Sequence, residues 1–337
     1  MRYFWKIGNR KSLVRYAISI CLLVVLLIAN SGWQALAYKP SPTIDLRHIP
    51  IGDGRISTQP QTGFLWSCRT QFGGPRRHGA HASGDWIGDN ATYNFTTKPT
   101  VNGRVYWPGD FDITIKDRSR QIASNRLPQD PTGNFPISPQ DDAYAFDRNP
   151  NSIRSGTATL NLPVNPQLAK NPSCLQMGQI GILLNGGYLF NALDANGKDA
   201  VAHEIQDSCQ GHPEQRGTYH YHSITTCLDK RDPGKGHSAL LGYALDGFGI
   251  YGHRLEGGKL ATNSDLDVCH GHTHPVDWDG KQTELYHYHA TWEYPYTIGC
   301  YRGTPIKLAR PPRPERLPEP PPGAKDPELR LDDRPNL

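Results

Sequence analysis

Two short runs of this chain place histidines at a spacing suited to metal chemistry. Tyr219-His220-Tyr221-His222 and Tyr286-His287-Tyr288-His289 are the same tetrapeptide. On a strand, successive side chains point to opposite faces, so His220 and His222 share one face while Tyr219 and Tyr221 share the other. The same holds for His287 and His289. Two imidazoles at i and i+2 can converge on one ion, and neutral imidazole suits zinc, copper, iron or nickel.

Further donors lie close to each run. Asp207-Ser208-Cys209-Gln210-Gly211-His212 matches Asp267-Val268-Cys269-His270-Gly271-His272. His212 and His272 are therefore candidate third ligands, and Asp207 and Asp267 are candidate carboxylate ligands or acceptors that fix imidazole tautomers. The two tetrapeptides can meet in one four-histidine site, or each can build its own. His203, Glu204, His270 and His274 are additional donors outside the repeated pattern and rank below these. Two other readings use the same residues. The tyrosines can pack in a core while the histidines make structural hydrogen bonds, or a histidine near Asp246 or Asp267 can move protons without a metal.

The elements that must position these residues are themselves repeated. Ile180-Gly181-Ile182-Leu183-Leu184-Asn185-Gly186 matches Leu241-Gly242-Tyr243-Ala244-Leu245-Asp246-Gly247. An apolar strand, an Asn-Gly or Asp-Gly turn and a second strand predict a hairpin in each copy. Hairpin, Asp-x-Cys-x-Gly-His, tetrapeptide and a closing cysteine follow in the same order twice, over 180–227 and 241–300. This predicts an internally duplicated core with pseudo-twofold symmetry. The order also pairs the cysteines: Cys209 with Cys227 and Cys269 with Cys300 make the copies equivalent, leaving Cys68 for Cys174. Zinc ligation by cysteine is the weaker alternative, since no Cys-x-x-Cys pair is present.

Composition narrows the function classes. Of 337 residues, 36 are Lys or Arg and 32 are Asp or Glu, but five of the basic residues fall in the first 15. Without that leader the chain is nearly neutral, which argues against a nucleic-acid partner. Basic residues, the apolar run 17–29 and Ala35-Leu36-Ala37 read as a cleaved signal peptide, 1–37, with the mature chain starting at Tyr38 in a secreted or periplasmic setting and no stable membrane insertion afterwards. Cys21 leaves with it, and six cysteines in an oxidising compartment fit three disulfides. The rest divides into an N-terminal extension (38–64), a β-rich region (65–175), the duplicated core (176–305) and a Pro-rich disordered tail (306–337).

The fold class is mainly β with few short helices. Gly103–Trp107 and Phe111–Ile115 read as strands, Asp199–Gln206 as a helix capped by Asp199, and 125–172 as a long ordered loop. Asp194–Asp199 is a polar turn rather than a calcium loop, because its glycine stands fourth instead of sixth. No Gly-x-Ser-x-Gly elbow or phosphate-binding glycine loop is present.

The two tetrapeptides, with Asp246-Gly247-Phe248-Gly249-Ile250-Tyr251-Gly252, Asp267–His272 and Tyr294-Pro295-Tyr296, resemble the YHYH domain family, named after that tetrapeptide. The resemblance spans roughly Trp66 to Gly303. It implies an exported protein and carries no established activity, so the metal reading rests on spacing alone. Any enzyme activity is expected to be metal-dependent, with zinc, copper or iron as the ion. The competing expectations are a metal-free extracellular module that binds glycan or peptide through Trp278, Trp292 and Tyr294, and a structural protein of the cell envelope.

Overall fold

The computed structural model describes residues 44–72, 82–89, 91–224, 226–229 and 234–308. The expected signal peptide, Cys21, the start at Tyr38 and most of the Pro-rich tail lie outside them. The described residues from Asp45 onward belong to one compact unit.

Its centre is an eight-stranded sheet. From one edge to the other the strands are Gly211–Pro213, Tyr219–Tyr221, Tyr188–Phe190, Gln179–Leu183, Leu240–Ala244, Gly249–Tyr251, Lys281–His289 and Gly271–Trp278. Read inward from either edge, the order is the Gly-His strand, the tetrapeptide strand, and then the second and first strands of the hairpin. The register agrees as well: Leu189 pairs with Tyr221 and Ile250 with Tyr288, both in parallel, while His212 faces His220 and His272 faces His287 across antiparallel pairs. The two hairpins meet where Ile182 pairs with Tyr243, the positions matched between the sequence copies. Strands buried on both faces read as apolar runs, and here Ile180, Ile182, Leu183, Leu241, Ala244 and Ile250 are all buried.

Both hairpins form at the dipeptides that predicted them. Gly186 and Gly247 have φ of 86° and 92°, a left-handed conformation that favours glycine. The three disulfides are Cys68–Cys174, Cys209–Cys227 and Cys269–Cys300, as the cysteine order predicted.

A three-stranded antiparallel meander, Phe111–Lys116, Ser119–Ser124 and Ala158–Pro163, packs on the core. Arg120 joins them: it is buried, forks onto Asp279 at 2.9 and 2.7 Å, and lies over the rings of Tyr243 and Trp278. Three expectations are corrected here. The stretch 125–172 is not loop throughout, because Ala158, Leu160 and Leu162 alternate inward and build a strand. Gly103–Trp107 forms only a single bridge, Val105 to Thr132. The helix capped by Asp199 is shorter than predicted, Ala200–His203. Glu204 then turns to extended backbone, which carries its carboxylate out of the helix and toward the histidines.

Candidate metal centres

The tyrosine face of each tetrapeptide fixes where its histidines point. Tyr219 donates to Asp207 Oδ2 at 2.8 Å, and Tyr286 donates to Asp267 Oδ1 at 2.9 Å. Tyr221 accepts from Asn185 Nδ2 at 2.8 Å, and Tyr288 donates to Asp246 Oδ2 at 2.6 Å. Each strand is thus tied to its Asp-x-Cys turn and to its own hairpin turn. Burial pushes all four hydroxyls up, so they keep their protons.

The Asp-x-Cys turns share one design. Asp207 Oδ1 accepts from the N–H groups of Cys209 and Gly211, Asp267 Oδ1 from those of Cys269 and Gly271, and Gln210 and His270 both adopt positive φ. A side chain at Gly211 or Gly271 would collide with the tetrapeptide tyrosine. Asp207 and Asp267 therefore shape turns and hold tyrosines. The structure does not bring them among the histidines, whose tautomers are set by main-chain carbonyls instead.

The histidines gather in two separate groups. The first holds His220, His222, His212 and Glu204, all buried. His220 Nδ1 faces Thr218 O and His222 Nδ1 faces Asn191 O; a carbonyl only accepts, so each Nδ1 carries the proton and each Nε2 presents a lone pair. These Nε2 atoms lie 3.1 Å apart, and Glu204 Oε2 lies 3.0 Å from Nε2 of both His212 and His222. Glu204 Oε2 and His212 Nε2 are nevertheless without a well-directed hydrogen bond. Burial pushes Glu204 up, but His212 and His222 outweigh it and hold the carboxyl well below its ordinary range. Burial pushes His212 down, and Glu204 reverses that to a net rise.

The second group holds His287 and His289 with His272 and His237. Nδ1 of His287 faces Leu285 O, that of His289 faces Gly252 O and that of His237 faces Ser238 O, at 2.8 to 2.9 Å. Their Nε2 atoms point together: His237 lies 3.1 Å from His287 and 3.1 Å from His289, and His272 lies 3.0 Å from His287. Burial holds all four imidazoles below their ordinary range, His287 at about 3. His287 and His289 are fully buried, whereas His237 and His272 keep 17% and 20% of their side chains exposed, so this group opens on one side. A cleft of about 550 Å³ reaches His237 past Leu240, Tyr251, Pro275 and Asp277.

Lone pairs in contact repel unless a positive charge lies between them. In the first group the lone pairs fixed in this way are those of His220 and His222, and in the second those of His237, His287 and His289. Tetrahedral ligands 2.0 to 2.1 Å from zinc are about 3.3 Å apart, close to the spacings found here.

Of the residues in the two groups, sequence reasoning named His220, His222, His287, His289, His212 and His272, and placed Glu204 in the lower rank. It missed His237, which precedes the second hairpin and has no counterpart in the first copy. The only signal for it was its place within residues 203–289, which hold eleven of the fourteen histidines of the chain. His203 and His270 stay outside both groups: His203 faces Ala82 O and Asp53, and His270 pairs with Thr291. Asp246 is taken by Tyr288. Trp278 and Tyr294 are buried and cannot stack on an external ligand; Trp292 is half-buried and stacks on His253.

No curated protein and no solved structure matches the chain. A family model does: its match takes in Glu204, His212, His220, His222 and His237 and stops before the second tetrapeptide. Residues 159–258 match the family described as YHYH protein, the family that the tetrapeptides pointed to.

Proposed function

We propose that this is an exported protein that binds two transition-metal ions. One centre is closed, built from Glu204, His212, His220 and His222. The other is open on one side, built from His237, His272, His287 and His289. The observation that carries this reading is the meeting of His237, His287 and His289: each Nδ1 is committed to a carbonyl, and the three unprotonated Nε2 atoms face one another at 3.1 Å or within the same cluster. The donor sets suit zinc, copper or iron. A closed centre stabilises the fold, whereas an open one can exchange its ion or admit a reactant, so metal-dependent chemistry, if the protein performs any, belongs to the second centre. Three disulfides support an oxidising compartment, in line with the N-terminal leader.

Elemental analysis of the mature protein, purified without a His tag, tests this reading. The expected content is two ions per chain in the wild type and one in a His237→Ala, His287→Ala variant. Absence of stoichiometric metal from the wild type, with a melting temperature indifferent to chelators and to added metal, would overturn it. N-terminal sequencing of the exported chain should begin at Tyr38.

A further inference from the structure

The second centre has an outer set of donors that the first lacks among the described residues. His274 follows His272 by two residues on the strand Gly271–Trp278, on the same partly exposed face. Its ring lies parallel to that of His237, with centroids 5.7 Å apart. Glu256, from the turn Glu256–Gly258, places Oε1 2.8 Å from His274 Nδ1 and 3.9 Å from Nε2 of both His237 and His272. The 3.9 Å separations exceed the 3.0 to 3.1 Å contacts inside the four-histidine cluster, so Glu256 stands just outside that shell, facing its open side. His274 Nδ1 makes no hydrogen bond despite its closeness to Glu256, as two ligand atoms aimed at a third point would.

His237 belongs to both sets, since His237, Glu256 and His274 also converge within ligand distance. Its Nδ1 is committed to Ser238 O, leaving Nε2 as its one donor atom. One nitrogen lone pair holds one ion at a time. The inner and outer sets are therefore alternative homes for a single ion. They differ in character: the outer set is partly exposed and carries a carboxylate, while the inner set is four neutral imidazoles, two of them fully buried.

We infer that Glu256, His274 and His237 form a loading site, which captures a hydrated divalent cation from solvent and passes it to the four-histidine centre through the shared His237. This rests on the two-centre reading above. The carboxylate draws the cation in and replaces part of its water shell. The imidazoles then replace the remaining ligands one at a time, so the ion is never stripped bare.

The test is the rate of cobalt(II) uptake by the full-length mature chain after metal removal, with circular dichroism confirming that the fold persists, for wild type and for a Glu256→Gln, His274→Ala variant. Release from the loaded protein to a chelator is followed in parallel and does not require stripping. The expected result is unchanged final stoichiometry, with uptake and release at the second centre slowed about tenfold or more in the variant. Unchanged rates would overturn the loading site and leave the two centres standing. Loss of the second ion at equilibrium would overturn it too, because these residues would then be resident ligands. A wild type that takes up no ion would overturn the two-centre reading itself.

Discussion

The hydroxyl of Tyr219 donates to Asp207 Oδ2 at 2.8 Å, so this carboxylate anchors a tetrapeptide tyrosine and not an ion. The same oxygen also accepts from the N–H of Gly133 at 2.8 Å and keeps a partner when the tyrosine hydroxyl is deleted. Tyr219→Phe should therefore cost about 1 to 2 kcal/mol, read by chemical denaturation, and leave metal content unchanged. Metal loss without loss of stability would return Asp207 to the ligand shell.

Glu204 supplies the only negative charge within the first group and is buried. Glu204→Gln keeps the shape and removes the charge that compensates a cation. The expected outcome is an ion count falling by one per chain, with the second centre intact. Thermal stability should also stop responding to metal at the first centre, leaving only the response of the second.

The metal-free protein should lose stability on acidification. His270 and His287 are held at about 3 by burial, so the folded chain keeps them neutral while the unfolded chain takes up protons below 6.5. The unfolded state then binds more protons between 6.5 and 3, and stability falls with pH across that window. Asp147 and Asp194, raised to about 6 by burial, act in the opposite sense between about 4 and 6. The two pairs offset each other between about 6 and 4, so the decline is expected where the histidines act alone, slightly between 6.5 and 6 and mainly from 4 toward 3: in the presence of a chelator the melting temperature falls as pH drops below 4. A flat or rising profile would contradict this.

Cys209 and Cys227 close a loop of 18 residues that contains His212, His220 and His222. A Cys209→Ser, Cys227→Ser variant should lose on the order of 3 kcal/mol and bind metal more weakly at the first centre than at the second. Competition with a coloured chelator would separate the two affinities. Equal weakening at both centres would show that the bridge acts on the sheet as a whole.

Much of this was legible in the sequence because it repeats. The hairpins, the cysteine pairing and the segregation of tyrosine from histidine follow from short motifs whose local physics is strong: Asn-Gly and Asp-Gly turns, the repeated order of the cysteines, and the two-residue period of a strand. The donors that complete each group were less legible because they do not repeat. Glu204 reaches the first group through a one-turn helix that ends just before it, and His237 reaches the second from a stretch ahead of its hairpin. Both depend on long-range packing, which leaves no periodic trace. Asp207 and Asp267 misled for the converse reason: a conspicuous repeated carboxylate serves the turn geometry that also repeats. The strand Ala158–Pro163 was hidden by the Pro- and Asn-rich segments around it, though its inward alternation is plain once isolated.

The two groups differ in how much chain they enclose. All four donors of the first lie within residues 204–222, whereas His237 and His289 of the second are 52 residues apart. Closing the longer segment costs about 1 kcal/mol more in chain entropy, and its parallel strand pairing must form before the imidazoles meet. During refolding with metal present, the first group should therefore close early, around a short bridged loop, and the second only once the sheet is complete. Time-resolved metal uptake during refolding would then show two phases, the slower one coinciding with the last gain of native fluorescence. Uptake in a single phase would mean that both groups wait for the same sheet.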